Sequence, residues 1–153
     1  MLSVRVNSDK LFFMKYIFII LISVLISLPS LANVEGKGII CECVDCKLTI
    51  KKSGYLFINN QVERHHFYSN KNEINILISS SQYVLSTFHI RWKFTSKDVL
   101  DRKTLLLQRD NGGKYFVRQC KVLSSIDEFK KEIDILKSNY QKELNLKIKE
   151  NKI

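Results

Sequence analysis

The sequence has none of the short motifs that mark the commoner enzyme classes: no glycine-rich phosphate loop, no nucleophile elbow and no pair of histidines at helical spacing. Glycine is scarce, with five residues, and Pro29 is the only proline. Blocks of like charge are missing too. The 25 Lys and Arg outnumber the 15 Asp and Glu, for a net charge of +10, yet the two signs are interspersed along the chain. That pattern describes a solvated surface rather than a basic nucleic-acid-binding tail. The apolar run Tyr16 to Leu28 is 13 residues long, short of the roughly 20 that span a bilayer, which argues against a permanent anchor.

What that run does match is a secretory signal peptide. Lys15 precedes an uncharged stretch rich in Ile, Leu, Phe and Val, and Ser30-Leu31-Ala32 follows with small residues two apart. Pro29 ends any helix begun in the apolar segment and leaves the next residues extended for a peptidase. Cleavage is expected after Ala32. No cysteine lies near that point, so a lipoprotein is not indicated. Met14-Lys15 would itself make a compact signal start, so residues 1–13 are either an extended n-region or an upstream extension of the reading frame. The expected organisation is a signal peptide over 1–32, a β-domain over 33–123 and a helix with its tail over 124–153. Removing Arg5, Lys10, Lys15 and Asp9 leaves 22 basic and 14 acidic residues, a net +8. About 120 residues make one domain with a modest core. Its charge suits anionic partners such as lipopolysaccharide or acidic glycans, or an envelope protein. Nucleic acid is not expected to meet a periplasmic or secreted chain, and the membrane is met only through the signal segment.

All four cysteines, Cys41, Cys43, Cys46 and Cys120, lie in the exported part, where two disulfides are the default. Three pairings are possible. Cys41 and Cys43 fall on one face of a first strand, Gly38 to Cys43, and Cys120 falls on the last strand. A Cys41–Cys120 bridge would tie the two ends of the sheet together, leaving Cys43 with Cys46 around a turn at Val44-Asp45. Two sharper readings compete. Cys43-Val44-Asp45-Cys46 has redox-motif spacing, but such motifs start a helix, whereas Lys47 to Ile50 alternates like a strand. Zinc held by the clustered cysteines with Cys120, His65 or His66 would need a second close pair that the spacing does not supply. No metal or cofactor is called for.

Short runs separated by turn residues then follow. After a turn at Ser53-Gly54, Tyr55 to Asn59 and Val62 to Ser69 read as a hairpin, with Ile74 to Ile78 as the next strand. Phe88, Ile90, Trp92 and Phe94 alternate with His89, Arg91 and Lys93, giving one core face and one wet face. Lys97 to Arg102 reads as a polar connection, Thr104 to Arg109 as a strand, Asn111-Gly112-Gly113 as a turn and Tyr115 to Val122 as the last strand. No helical segment interrupts them, so the fold class is mainly β: an antiparallel sheet curled into a small barrel or sandwich. From Ser124 the period changes. Ile126, Phe129, Ile133, Leu136, Tyr140, Leu144 and Ile148 describe an amphipathic C-terminal helix, capped by Ser125 and Glu128. At about 1.5 Å per residue it is longer than such a domain can cover, so the half beyond Tyr140 is expected to project or fray.

Candidate site residues are few. His65 and His66 are adjacent on a strand and point to opposite faces, so they do not act together, and neither has a nucleophile in its motif. The wet face with His89, Arg91 and Lys93, joined by Arg118, is the candidate surface for an anionic partner, though a solvated sheet face looks the same.

Several segments together carry a resemblance: Gly36-Lys37-Gly38-Ile39-Ile40-Cys41, Ile90 to Trp92, Leu100-Asp101-Arg102-Lys103-Thr104-Leu105 with Leu107, and the aromatic-x-x-Gln-Cys ending at Cys120. In these the chain resembles a diffuse group of small bacterial secreted proteins that brings no established activity. A cysteine on the first strand, a tryptophan strand and a cysteine on the last are also similar to the membrane-bound C-type lysozyme inhibitors, which are small periplasmic β-barrels. That family places a Ser-Gly-x-x-Tyr loop before its aromatic strand. Ser79-Ser80-Ser81-Gln82-Tyr83 has the serine and tyrosine and lacks the glycine. The sequence thus leads first to a non-enzymatic binding module and second to an inhibitor of a cell-wall hydrolase. A third reading is a small hydrolase or redox protein using His65, His66 or Cys43/Cys46.

Overall fold

The computed structural model describes residues 33–44 and 50–150. The proposed signal peptide and its cleavage point, Cys46 and the strand-like Lys47 to Thr49 lie outside these residues. Eight strands run in chain order: β1 Gly38–Cys43, β2 Lys52–Ile58, β3 Gln61–Asn70, β4 Glu73–Leu85, β5 His89–Lys93, β6 Lys97–Asp101, β7 Leu106–Asn111 and β8 Lys114–Leu123. Each pairs antiparallel with its sequence neighbour, and β1 pairs with β8, so the sheet closes into an up-and-down barrel. A helix, α1, spans Ile126–Glu150. Of the two β architectures left open by the sequence, the barrel is the one formed.

Local chemistry explains the turns. Asn59 and Asn60 both sit at positive φ between β2 and β3, and Gly112 and Gly113 do so between β7 and β8. Two-residue hairpins of this kind match the twist of the strands they join. Other expectations need correction. Ser53-Gly54 is not a turn but part of β2, and Lys97 to Asp101 is a strand rather than a connection. Phe88 precedes β5 and is 68% exposed, so the inward face of that strand holds Ile90 and Trp92, with Phe94 half-buried beyond them.

Strict alternation divides the apolar residues between two cores. Ile39, Cys41, Tyr55, Phe57, Val62, Ile90, Trp92, Leu100, Leu107 and Cys120 fill the barrel. Ile40, Leu56, Phe67, Ile74 and Leu123 face outward and are covered by Phe129, Ile133 and Leu136 of α1. That is why β1 and β2 are buried on both faces. Gly38 and Gly54 mark where the helix approaches closest: a Cβ on Gly38 would lie 2.3 Å from the Phe129 ring, and one on Gly54 2.6 Å from Ile133. Ser53-Gly54 therefore supplies clearance for a helix, not a reversal of the chain.

The helix begins as its sequence implies. The Ser125 hydroxyl accepts the Glu128 N–H, while the Glu128 carboxylate accepts from the Ser124 N–H and hydroxyl, and these bonds hold its pKa below the usual carboxylate value. Its second half does not project at Tyr140. The Tyr140 ring packs on Phe67 and its hydroxyl accepts the Lys52 N–H, and Leu144 continues the same apolar contact. The β3–β4 hairpin extends beyond the part of β4 that pairs with β5, and covering it gives this helix more surface than a compact domain of its size would offer.

Candidate functional site

The two ends of the barrel differ in chemistry. At the end where β1 begins, Val34 packs onto the interior core, and Gly36 and Lys37 bond to the backbone of Phe57. Glu35 accepts hydrogen bonds from the N–H groups of Asn59 and Asn60 and from the Tyr83 hydroxyl. This end is closed by apolar side chains and by the chain's own backbone.

At the opposite end the inward positions turn polar and basic. Tyr55 stands opposite Arg64, and Ser53 opposite His66. Asp98 stands opposite Arg109, and Arg118 lies between Leu107 on β7 and Cys43 on β1. Each is in phase with a core residue two positions away, or four for His66, so all point inward. Asp98, only 1% exposed, accepts two hydrogen bonds from Arg109, from Nε at 2.7 Å and Nη2 at 2.9 Å. The same Nη2 donates to the Tyr55 hydroxyl at 2.8 Å, and that ring packs against Trp92 at 5.4 Å. Arg118 is 8% exposed and donates to the Ser53 hydroxyl. Arg64 lies over the Phe94 ring at 4.7 Å, a cation–π contact.

Among the described residues Asp98 is the carboxylate that acts on Arg109 and Arg118. Burial opposes the Arg109 charge, yet the hydrogen bonds to Asp98 and the nearby Tyr55 oxygen outweigh it, and the pKa is raised. Among the described residues Arg118 has no carboxylate hydrogen-bonded to it. Burial lowers its pKa, and Arg109 and Arg64 add to that effect. The His66 pKa is lowered as well, first by partial burial and then by Arg64, Arg118 and Arg109. Burial also raises that of Tyr55. The Nε groups of Arg64 and Arg118 and the Ser79 hydroxyl, which faces Arg64 across β3 and β4, are buried without a hydrogen-bond partner among the described residues. The cluster thus holds one satisfied arginine and two whose forks are only partly used.

The residues singled out from the sequence fall in different places. His89, Arg91 and Lys93 line the outer side of β5, with the His89 ring 3.9 Å from Asp101. Arg118 is inside the barrel and does not join them. His65 and His66 do point to opposite faces. His65 stacks edge-on against Phe129 under the helix, 3.6 Å from Glu63, and burial lowers its pKa against that carboxylate. Cys41 and Cys120 stand opposite each other on β1 and β8 and are joined in a disulfide, so neither is a thiolate ligand. Cys43 is also disulfide-bonded, while the Cys46 expected to pair with it lies outside the described residues. Ser79 to Tyr83, the segment set against an inhibitory loop, is part of β4. Among the described residues no cluster of metal-ligating side chains forms, and no helix is long and apolar enough to cross a membrane.

Arg64, Arg109 and Asp98 were not picked out from the sequence. A signal was present: Arg64 lies two residues from Val62, Arg109 two from Leu107 and Arg118 two from Cys120, so each charge repeats in phase with a core position. The chain matches no family model, no curated protein and no solved structure.

Proposed function

We propose that this chain is an exported, non-enzymatic binding module, and that the basic end of its barrel receives one anionic group, a carboxylate or phosphate carried by an envelope component. The observation behind this reading is the imbalance inside the barrel. Among the described residues three arginines stand at this end with one buried carboxylate, Asp98, which Arg109 occupies, and Arg118 is more than nine-tenths buried with no partner for its Nε. A buried guanidinium without a counter-charge costs several kcal/mol, and its planar fork matches carboxylate and phosphate oxygens. Eight-stranded barrels have interiors just wide enough for side chains or for one small ligand. Here the closed apolar end is filled, which leaves the basic end for a ligand. Export is supported by the signal-peptide pattern and by disulfides, which belong to oxidising compartments.

Trp92 is the single tryptophan and touches Tyr55, the hydroxyl partner of Arg109, so its emission reports on the cluster. Titration with inorganic phosphate or citrate at constant ionic strength is expected to change that emission saturably, and glycerol is expected to leave it unchanged. Arg118→Met weakens the response about 10- to 100-fold, the worth of one charged hydrogen bond. A flat response to both anions rejects this function.

A further inference from the structure

Strand β4 has a bare edge. It pairs with β3 from Glu73 through Gln82, but with β5 only from Tyr83 through Leu85. The Ile74 N–H is directed away from β3, where it donates to Gln141 Oε1 of α1 at 2.9 Å, while Gln141 Nε2 donates to the Asn72 carbonyl, also at 2.9 Å. A helix carboxamide thus takes the place of a neighbouring strand at one rung. Alternation directs the N–H and C=O groups of Ile76, Ile78 and Ser80 the same way. Among the described residues these three rungs have no backbone or side-chain partner.

The strand itself carries none of the usual protections of a free edge. Proteins guard such edges with charge, proline or a bulge, yet Ile74 to Phe88 contains no Lys, Arg, Asp, Glu or Pro. Leu77 and Ile78 are 53% and 54% exposed. Beside the edge, Ile76 and Ile78 face Phe129 and Ile133 across a groove of about 310 Å³, whose helix side also carries the opposite charges of Lys130 and Asp134.

We propose that a second copy of this chain pairs along this edge, β4 against β4 in antiparallel register about a two-fold axis through Ile78. Two observations favour a copy over an unrelated strand. The segment is self-complementary: with Ile78 on the axis, Ile76 meets Ser80 of the other copy, and Leu77 meets Ser79, so every rung is matched by the same few residues. It is also a long charge-free segment on a domain of net charge +8, where two like-charged molecules can meet without setting lysine against lysine. Hydrogen bonds at Ile76, Ile78 and Ser80 would join the two barrels through a continuous sheet.

Sedimentation equilibrium of the purified protein is expected to show a concentration-dependent dimer, with the Ile76, Ile78 and Ser80 amides exchanging more slowly as the dimer forms. Ile78→Lys sets two ammonium groups on the axis at an exposed position and is expected to raise the dimer dissociation constant about tenfold or more, leaving the circular dichroism spectrum unchanged. The exchange measurement on the unaltered protein stands whether or not that variant folds. A monomer at all concentrations, or a dimer whose formation leaves these amides unprotected, overturns the proposal.

Discussion

Replacing both Cys41 and Cys120 with serine is expected to lower the stability of the barrel by about 4.5 kcal/mol, the chain-entropy value for a closed loop of this length. The bridge links residues 79 apart in sequence, directly opposite each other where β1 meets β8. Closure of the barrel depends on that seam, because the first and last strands must find each other across the whole domain. A crosslink there removes much of the entropy that the unfolded chain would otherwise gain. For a domain near 120 residues the expected fall in melting temperature is roughly 15–20 °C. The native contacts of the seam remain, so the folded variant should keep the near-ultraviolet signature of Trp92. Chemical denaturation of the double variant checks the magnitude. A loss below about 1 kcal/mol would mean that the unfolded chain is already compact around these strands.

The second large effect belongs to Asp98. Asp98→Asn keeps the shape of the side chain but removes the charge that balances Arg109, leaving a buried guanidinium with a neutral partner. The expected cost is about 3–5 kcal/mol, the usual penalty for breaking a buried pair from one side. Replacing both partners, Asp98→Leu with Arg109→Met, should cost much less, because no uncompensated charge is left behind. The single variant carries a further signature. With Asp98 neutral, the three arginines have no counter-charge within the barrel among the described residues, so phosphate should stabilise Asp98→Asn more than the unaltered protein at equal ionic strength. Urea unfolding with and without phosphate separates this from a simple packing defect, which phosphate would not rescue.

These two effects also show what the sequence could and could not convey. The disulfide was legible because it depends on strand order: a cysteine near the start of the sheet and one near its end meet when the sheet closes. The turns at Asn59-Asn60 and Gly112-Gly113 were legible because their chemistry is local. β6 was not. Lys97-Asp98-Val99-Leu100-Asp101 reads as polar, and Asp98 is buried only because Arg109, on the next strand, neutralises it. No local pattern reports a partner eleven residues away. Ser53-Gly54 misled for a related reason, since its glycine answers to Phe129 and Ile133 of a helix more than 70 residues on. Arg118 was noticed for its charge but set beside His89, Arg91 and Lys93. Its phase with Cys120 places it inside the barrel, while those three lie outside. The helix beyond Tyr140 was expected to be unpartnered because its partner, the overhanging tip of β3 and β4, could not be foreseen from strand periodicity alone.

The arginine side chains can report on the basic interior directly. In protein labelled with nitrogen-15 arginine, the Nε–H signals of Arg64, Arg109, Arg118 and the outward-facing Arg91 are resolved and titrated with phosphate. Among the described residues the Nε groups of Arg64 and Arg118 are unpaired, whereas that of Arg109 is held by Asp98. The Arg64 and Arg118 signals are therefore expected to shift together and saturate at one stoichiometric site, with Arg109 moving little. Shifts confined to Arg91, or no saturable shift at Arg64 and Arg118, would contradict an anion site inside the barrel.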